Sequence, residues 1–68
     1  MVKRYTVEDY HAIHRKEIMW ILANSGRKME RSRLRRCAGI KLADLNLILS
    51  ELARDGKIRI TGEIISLI

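Results

Sequence analysis

The sequence predicts a mainly α-helical domain that ends in a small β-hairpin, an α+β fold class. Three observations support it. Three stretches carry apolar residues at the spacing of three and four that marks one side of a helix, and residues 57–60 alternate as a strand does. Four glycines separate these stretches, and the chain has no proline. Because the chain has 68 residues, we expect a single domain over residues 1–68.

The first helix is predicted over residues 7–25. Thr6 is a candidate N-cap, because its hydroxyl can accept hydrogen bonds from free backbone N–H groups. Gly26 is expected to end the helix in the left-handed conformation. The predicted core face consists of residues at helical spacing: Tyr10, His14, Ile18, Ile21 and Leu22. A brief extended segment is expected over residues 27–29.

A second and a third helix follow, joined by a glycine turn. The second is predicted over residues 31–38, with three side chains facing inward: Leu34, Cys37 and Ala38. Gly39 forms the turn, and Ile40 is expected to be buried there. The third helix is predicted over residues 42–55, with a core stripe of four apolar residues: Leu45, Ile48, Leu49 and Leu52.

The remaining residues, 57–68, are predicted to form a hairpin. Lys57 to Ile60 alternate between polar and apolar, and Thr61-Gly62 can turn the chain into a second strand over residues 63–68. Both strands are rich in isoleucine, which favours the pleated conformation.

The order of these elements resembles the winged helix-turn-helix family. The resemblance covers nearly the whole chain, and it rests on Leu34-x-x-Cys37-Ala38-Gly39-Ile40 followed by Leu45-x-x-x-Leu49-x-x-Leu52-x-x-x-Gly56-Lys57-Ile58. It implies three helices with a two- or three-stranded wing, in a small prokaryotic transcription regulator, archaeal or archaeal-viral sources included. It also implies that the third helix enters the major groove of double-stranded DNA while helix two and the wing hold phosphates.

Positive charge is concentrated in one segment. The net charge is +6, and residues 27–41 hold seven basic residues against one acidic residue, Glu30, while the rest of the chain is neutral. A basic patch on a neutral body is typical of a polyanion binder. The predicted phosphate contacts are basic residues of this segment and of the wing: Arg27, Lys28, Arg31, Arg33, Arg35, Arg36, Lys41, Lys57 and Arg59.

The position of the basic residues in the second helix also favours a bound phosphate. Cations in the first turn oppose the helix dipole by up to ~1 kcal/mol each at low salt. Arg31 and Arg33 stand there, and a phosphate would meet both the arginines and the free backbone N–H groups.

The outward face of the third helix is the predicted reading surface. We expect it to carry Ala43, Asp44, Asn46, Leu47, Ser50, Glu51 and Arg54. The predicted base contacts are Ala43, Asn46, Leu47, Ser50 and Arg54. An asparagine suits an adenine edge and small apolar side chains suit a thymine methyl group. No arginine lies in the middle of the helix to bind guanine, so modest sequence specificity is expected.

Helix one carries a second apolar stripe that one small core does not need. We expect a second copy of the chain to cover it, with Ile13, Met19 and Trp20 as dimer contacts. A two-fold homodimer would present two reading surfaces to neighbouring half-sites.

Other functional classes find less support. His11, His14 and Cys37 could supply metal ligands, but no second cysteine or carboxylate cluster completes a site, so neither a metal nor another cofactor is expected. The sequence indicates no catalytic constellation, and we expect neither an enzyme nor a small-molecule substrate. The single cysteine excludes an internal disulfide.

The expected location is intracellular: cytoplasmic, nucleoid-associated or, for a viral protein, in the host cytoplasm. No apolar run approaches the roughly 20 residues of a membrane span, and the first residues lack an apolar signal stretch. Since the sequence ends at the second wing strand, no effector domain is expected.

Two alternatives to DNA binding stay open. Winged helices also act as protein-interaction modules, in which Leu47, Trp20 and the acidic residues of helix three would contact a protein. Structured RNA could bind the same arginines. A phosphate-binding protein loses affinity steeply with salt, whereas an apolar protein contact does not.

Overall fold

The computed structural model describes residues 7–68. The helices and strands follow one another in the order α1 Val7–Ala23, β1 Lys28–Glu30, α2 Arg31–Ala38, α3 Leu42–Arg54, β2 Ile58–Thr61 and β3 Ile64–Leu67. The predicted elements are confirmed, although α1 and α3 end slightly before the predicted residues 25 and 55. The candidate cap Thr6 lies outside the described residues.

The turn after α1 contains two successive left-handed residues. Gly26 has a φ of +76°, as predicted, and Arg27 has a φ of +69°. The Arg27 N–H donates to the Leu22 carbonyl at 2.9 Å, and the Arg27 carbonyl accepts from the Leu67 N–H at 2.8 Å. These bonds hold a bulky residue in a conformation that glycine adopts more easily.

The α2–α3 connection matches the predicted glycine turn. Gly39 has a φ of +67° and its N–H donates to the Arg35 carbonyl, which closes the end of α2. Ile40 is buried, as are Leu34 and Ala38 of α2. The inward placement of Cys37 was wrong, because this residue is exposed. A helix of two turns buries a narrow stripe, and Leu34 and Ala38 fill it at the i, i+4 spacing.

The sheet has three antiparallel strands in the order β1-β3-β2. The extended segment predicted after helix one therefore forms the third strand of the wing. Met29 pairs with Ile65, and Ile65 pairs with Ile60, on the inner face of the sheet. Since successive side chains alternate, Lys28, Ser66 and Arg59 form a row on the outer face.

A single apolar core joins the helices to the inner face of the sheet. The helices α1, α2 and α3 contact β3, β1 and β2 respectively. Among the described residues no polar side chain is buried in this core. Its buried members are Ile18, Leu22, Met29, Leu34, Ala38, Ile40, Leu45, Ile48, Leu49, Leu52, Ile58 and Ile65. The arrangement of helices and strands has the winged-helix layout.

Three of the five predicted members of the α1 core face lie at its margin. Tyr10 is 39% exposed. Its ring contacts the half-buried His14 edge-on, with 4.4 Å between the ring centroids. The buried stripe of α1 is thus narrower than predicted and centres on Ile18 and Leu22, while Ile21 is half-buried.

Candidate nucleic-acid interface

The arginines of α2 leave the helix on two different flanks. Leu34 occupies the buried side, and a helix turns 100° per residue. Arg31 and Arg35 therefore project towards α3, whereas Arg33 and Arg36 project towards β1. The structure therefore separates the four α2 arginines into two surfaces, one on each side of the helix.

The first surface is a groove between α2 and α3. Arg31 and Arg35 line it from α2, Leu42 and Asn46 line it from α3, and Ser32 and Glu63 complete it. We call it the α2–α3 groove. It opens beside the outward face of α3, so a ligand on that face would meet both helices.

Arg31 is the most constrained basic residue of the α2–α3 groove. Its Nη1 donates to the Oδ1 of Asn46 at 2.7 Å, and its Nη2 lies 3.5 Å from the Gly62 carbonyl oxygen. Its Nε is buried without a hydrogen-bond partner among the described residues. Arg31 thus joins α2 to α3 and to the β2–β3 turn, a role that the sequence analysis missed.

This bond changes what Asn46 can offer to a base. Bidentate recognition of adenine needs both the carbonyl oxygen and the amide group of the asparagine. In the structure the oxygen accepts from Arg31. One of the two acceptor positions of this oxygen is therefore occupied, and the bond to Arg31 constrains the orientation in which Asn46 can meet an adenine edge.

The outward face of α3 carries exposed side chains with no acidic group at its centre. These are Ala43, Leu47, Ser50 and Arg54, four of the five predicted base contacts. The hydroxyl of Ser50 donates to the Asn46 backbone carbonyl at 2.9 Å. Leu47 is 49% exposed. The face is therefore nearly neutral, with one cation near its C-terminal end.

Glu51 was wrongly placed on this outward face. It is partly buried against α1, where its Oε2 accepts from Nη1 of Arg15 at 3.1 Å. Its Oε1 lies 3.5 Å from Nδ1 of His11. Asp44 precedes Glu51 by two helical turns and shares its flank of α3. Glu51 is thus turned towards α1, and Asp44 lies on the same flank of α3, to one side of the outward face.

The second surface is on the far side of α2 and continues over the sheet. Lys28, Arg33 and Arg36 line one cleft beside the turn that follows α1, and Glu30 also lines it. On the outer face of the sheet, Arg59 follows Lys28 across Ser66. We call this set the sheet-side surface. Its four cations are exposed.

The remaining predicted phosphate contacts lie outside these two surfaces. Lys41 is exposed at the N-terminal end of α3. Lys57 lines a cleft against α1, together with Arg15 and Lys16. Nη2 of Arg27 lies 3.4 Å from the Ile68 carbonyl oxygen, so this guanidinium is directed at the end of β3.

Ion pairs in the described part of the chain lie away from the basic segment. They join His11 and Arg15 to Glu51, and His14 to Glu17. None of the seven basic residues at 27–41 has such a partner there. The positive charge of this segment is therefore not neutralised within the described structure.

The predicted dimer contacts divide between the surface and the core. Ile13 and Trp20 are 49% and 67% exposed, on the side of α1 that faces away from the core. Met19 is partly buried and packs against the core of its own chain. The exposed apolar stripe of α1 thus consists of Ile13 and Trp20, with the half-exposed Tyr10 at its edge.

Two other features of the described residues bear on the site. No group of three or more His, Cys, Asp or Glu residues among them is arranged to hold a metal ion. In particular, Cys37 is exposed on α2, whereas His11 and His14 lie on α1. No helix over residues 7–68 has the length and apolar character needed to cross a membrane.

Comparison with known proteins gives no relative from which a function could be transferred. No protein-family model matches the chain, and no significant match was found among curated proteins or solved structures.

Proposed function

We propose that this protein binds double-stranded DNA and acts as a transcription regulator. In this proposal α3 lies in the major groove, and basic side chains of the α2–α3 groove and of the α3 termini hold the flanking phosphates. The observation that carries the proposal is the unpaired charge of residues 27–41. These seven cations have no ion-pair partner in the described structure, so they are available to the phosphates of a DNA backbone.

The charges at the N-terminal end of α2 also favour a bound phosphate. It has no acidic residue in its first turn, and its N-cap Glu30 makes no side-chain capping bond. Arg31 and Arg33 therefore stand at the positive end of the helix, where each costs up to ~1 kcal/mol at low salt. A phosphate near this end would remove the penalty and accept hydrogen bonds from the arginines.

The dimensions of α3 suit a major groove. Its 13 residues span about 20 Å, and the groove is about 12 Å wide. Lys41 and Arg54 at its two ends would then reach phosphates on both sides of the groove. Ala43, Leu47 and Ser50 between them would face base edges and contact thymine methyl groups. The affinity would come mainly from contacts with the DNA phosphates, and the sequence specificity would be modest.

The proposal includes a homodimer through α1. If two α1 helices pack antiparallel about a two-fold axis between Lys16 and Glu17, Ile13 of each copy faces Trp20 of the other. The same register places the Lys16 of each copy opposite the Glu17 of the other, which gives two equivalent ion pairs. Apolar contacts and charge pairs are therefore complementary in a single arrangement, as an isologous interface requires.

Salt-dependent binding to a short labelled duplex, measured by fluorescence anisotropy, tests the proposal. We expect the logarithm of the affinity to fall linearly with the logarithm of the salt concentration, by about 0.9 per phosphate neutralised. Arg35→Ala should reduce this slope by about one. Lys57→Ala also removes one exposed lysine charge, but on the α1 side, and should leave the slope unchanged.

The rival functions give different outcomes in the same titration. Absence of binding at low salt would refute DNA binding and favour a protein-interaction module that uses the exposed Leu47 and Trp20. Tighter binding to an RNA hairpin than to the DNA duplex would favour RNA. For the dimer, light scattering should show that Lys16→Glu dissociates the copies and that Lys16→Glu with Glu17→Lys restores them.

A further inference from the structure

The sheet-side surface is a concentration of charge that binding through α3 does not use. It holds Lys28, Arg33, Arg36 and Arg59 against the single carboxylate of Glu30. All four cations are exposed, and none has an ion-pair partner among the described residues. Its excess charge is therefore available to a ligand from solution.

The sheet-side surface and the outward face of α3 lie on different sides of the apolar core. The strand β2 contacts α3 on the inner face of the sheet, where Ile58 is buried. Arg59 follows Ile58 and thus lies on the opposite face of the strand. A straight duplex in contact with Leu47 and Ser50 of α3 leaves Arg59 and Lys28 uncovered.

We propose that the sheet-side surface is a second phosphate-binding site, which takes the backbone of a second segment of double-stranded DNA, so that one protein molecule bridges two duplex segments. This inference rests on the proposed DNA binding through α3. Three observations carry it: the shared cleft of Lys28, Arg33 and Arg36, the continuation to Arg59 across the sheet, and the lack of neutralising partners.

The spacing of the cations fits a duplex backbone. Neighbouring strands lie about 4.8 Å apart, so Lys28 and Arg59 are separated by about 10 Å across β3. A duplex carries one negative charge per about 1.7 Å of its axis, so this row and the adjoining arginines of α2 can meet several phosphates at once. The cations of this surface lie on a flat sheet and on the flank of a helix, so we expect them to contact phosphates and the site to be independent of sequence.

A two-duplex capture assay tests the second site. One duplex is fixed to beads, the full-length protein is added, and a fluorescent duplex is then offered at low salt. The parent protein for every measurement is the Ile13→Ser, Trp20→Ser variant, in which both changes are at exposed positions and remove the proposed dimer contact. We expect this monomer to retain the fluorescent duplex on the beads.

Two charge-matched double variants separate the surfaces. Lys28→Glu with Arg59→Glu should lower the retained fluorescence by about tenfold or more, while its anisotropy affinity for a single duplex changes by less than about threefold. Arg35→Glu with Arg54→Glu should weaken the single-duplex affinity itself. Far-UV circular dichroism of each variant confirms that these exposed substitutions leave the fold intact.

Other outcomes overturn the inference in recognisable ways. If the parent monomer binds one duplex but retains no second one, the second site is refuted and the proposed function stands. If Lys28→Glu with Arg59→Glu weakens the single-duplex affinity as much as the other pair does, both surfaces belong to one site. Retention of an RNA hairpin in place of the second DNA would assign the surface to RNA. Absence of binding to any duplex would refute the proposed function as well.

Discussion

The hydrogen bond between Arg31 and Asn46 should contribute a measurable coupling to the free energy of unfolding. The bond joins α2 to α3 at 2.7 Å, and its donor is charged. Hydrogen bonds to charged groups contribute about 1.5–3 kcal/mol when shielded from water. Because both residues are only half-buried, screening by solvent reduces this figure. We expect a coupling of about 1 kcal/mol.

A double-mutant cycle isolates this coupling. Arg31→Met keeps the apolar stem, Asn46→Ala removes the acceptor, and the pair is combined in a third variant. Urea unfolding followed by far-UV circular dichroism gives the free energy of unfolding of each. Asn46→Ala alone should lower it by about 1–2 kcal/mol, since a charged, partly buried guanidinium loses its partner. For a domain of this size, each kcal/mol corresponds to a fall in melting temperature of about 4–8 °C.

A coupling near zero would refute the reasoning. The two substitutions would then act independently, and Arg31 would be a solvated cation. In that case the orientation of the Asn46 amide would not depend on Arg31. A measurable coupling would instead mean that Arg31 constrains the orientation in which Asn46 can meet a base.

Three further predictions concern single residues. Gly39→Ala should destabilise the fold by about 1 kcal/mol in thermal unfolding, because φ is +67° and no atom near the added methyl group compensates; an unchanged melting temperature would contradict this. Ile48→Ala should cost about 2–5 kcal/mol by urea unfolding, since Ile48 is fully buried. Its exposed neighbour is the control, and Leu47→Ala should stay within about 0.5 kcal/mol. Cys37 should react with a thiol reagent as fast in the folded protein as in urea, and strong protection would show that the thiol is buried after all.

Apolar spacing was sufficient to predict the three helices of this fold. The four apolar residues of the α3 stripe, Leu45, Ile48, Leu49 and Leu52, are all buried, and Leu34 and Ile40 are buried as expected. Burying a branched apolar side chain contributes about 1.5–3 kcal/mol, so its periodicity dominates the choice of element. The glycine turns were also predictable, because only a left-handed residue ends α1 and α2 in this way.

The errors have a common physical origin. Cys37 and Glu51 were assigned to faces from one helix at a time, without the neighbour that each helix meets. Because a cysteine is small, it is found both in cores and at surfaces, and the residue type does not predict whether Cys37 is buried. Glu51 faces α1 because Arg15 lies there, 36 positions earlier in the chain. Sequence spacing within one helix cannot reveal such a pair.

The division of the basic segment into two surfaces was in principle predictable. Arg33 and Arg35 are two residues apart and therefore point to opposite sides of α2 once Leu34 is buried. What the sequence did not indicate is the continuation to Arg59. It depends on β1 joining the sheet beside β3, which places Lys28 and Arg59 on either side of Ser66. Long-range strand pairing thus creates the sheet-side surface.

The forces that fold this protein and the charges that suit it to a polyanion are nearly independent. The core consists of apolar side chains, and no polar side chain of the described residues is buried in it. The cations of residues 27–41 form no ion pairs there, and those at the start of α2 oppose its dipole. A neutral residue at Arg33 would therefore leave the fold at least as stable, whereas Arg36 stands in the last turn of α2, where the dipole favours a cation. Apart from Arg31, whose bonds join α2 to α3 and to the β2–β3 turn, these charges are not accounted for by folding, and their presence on both flanks of α2 favours the proposed extended polyanion.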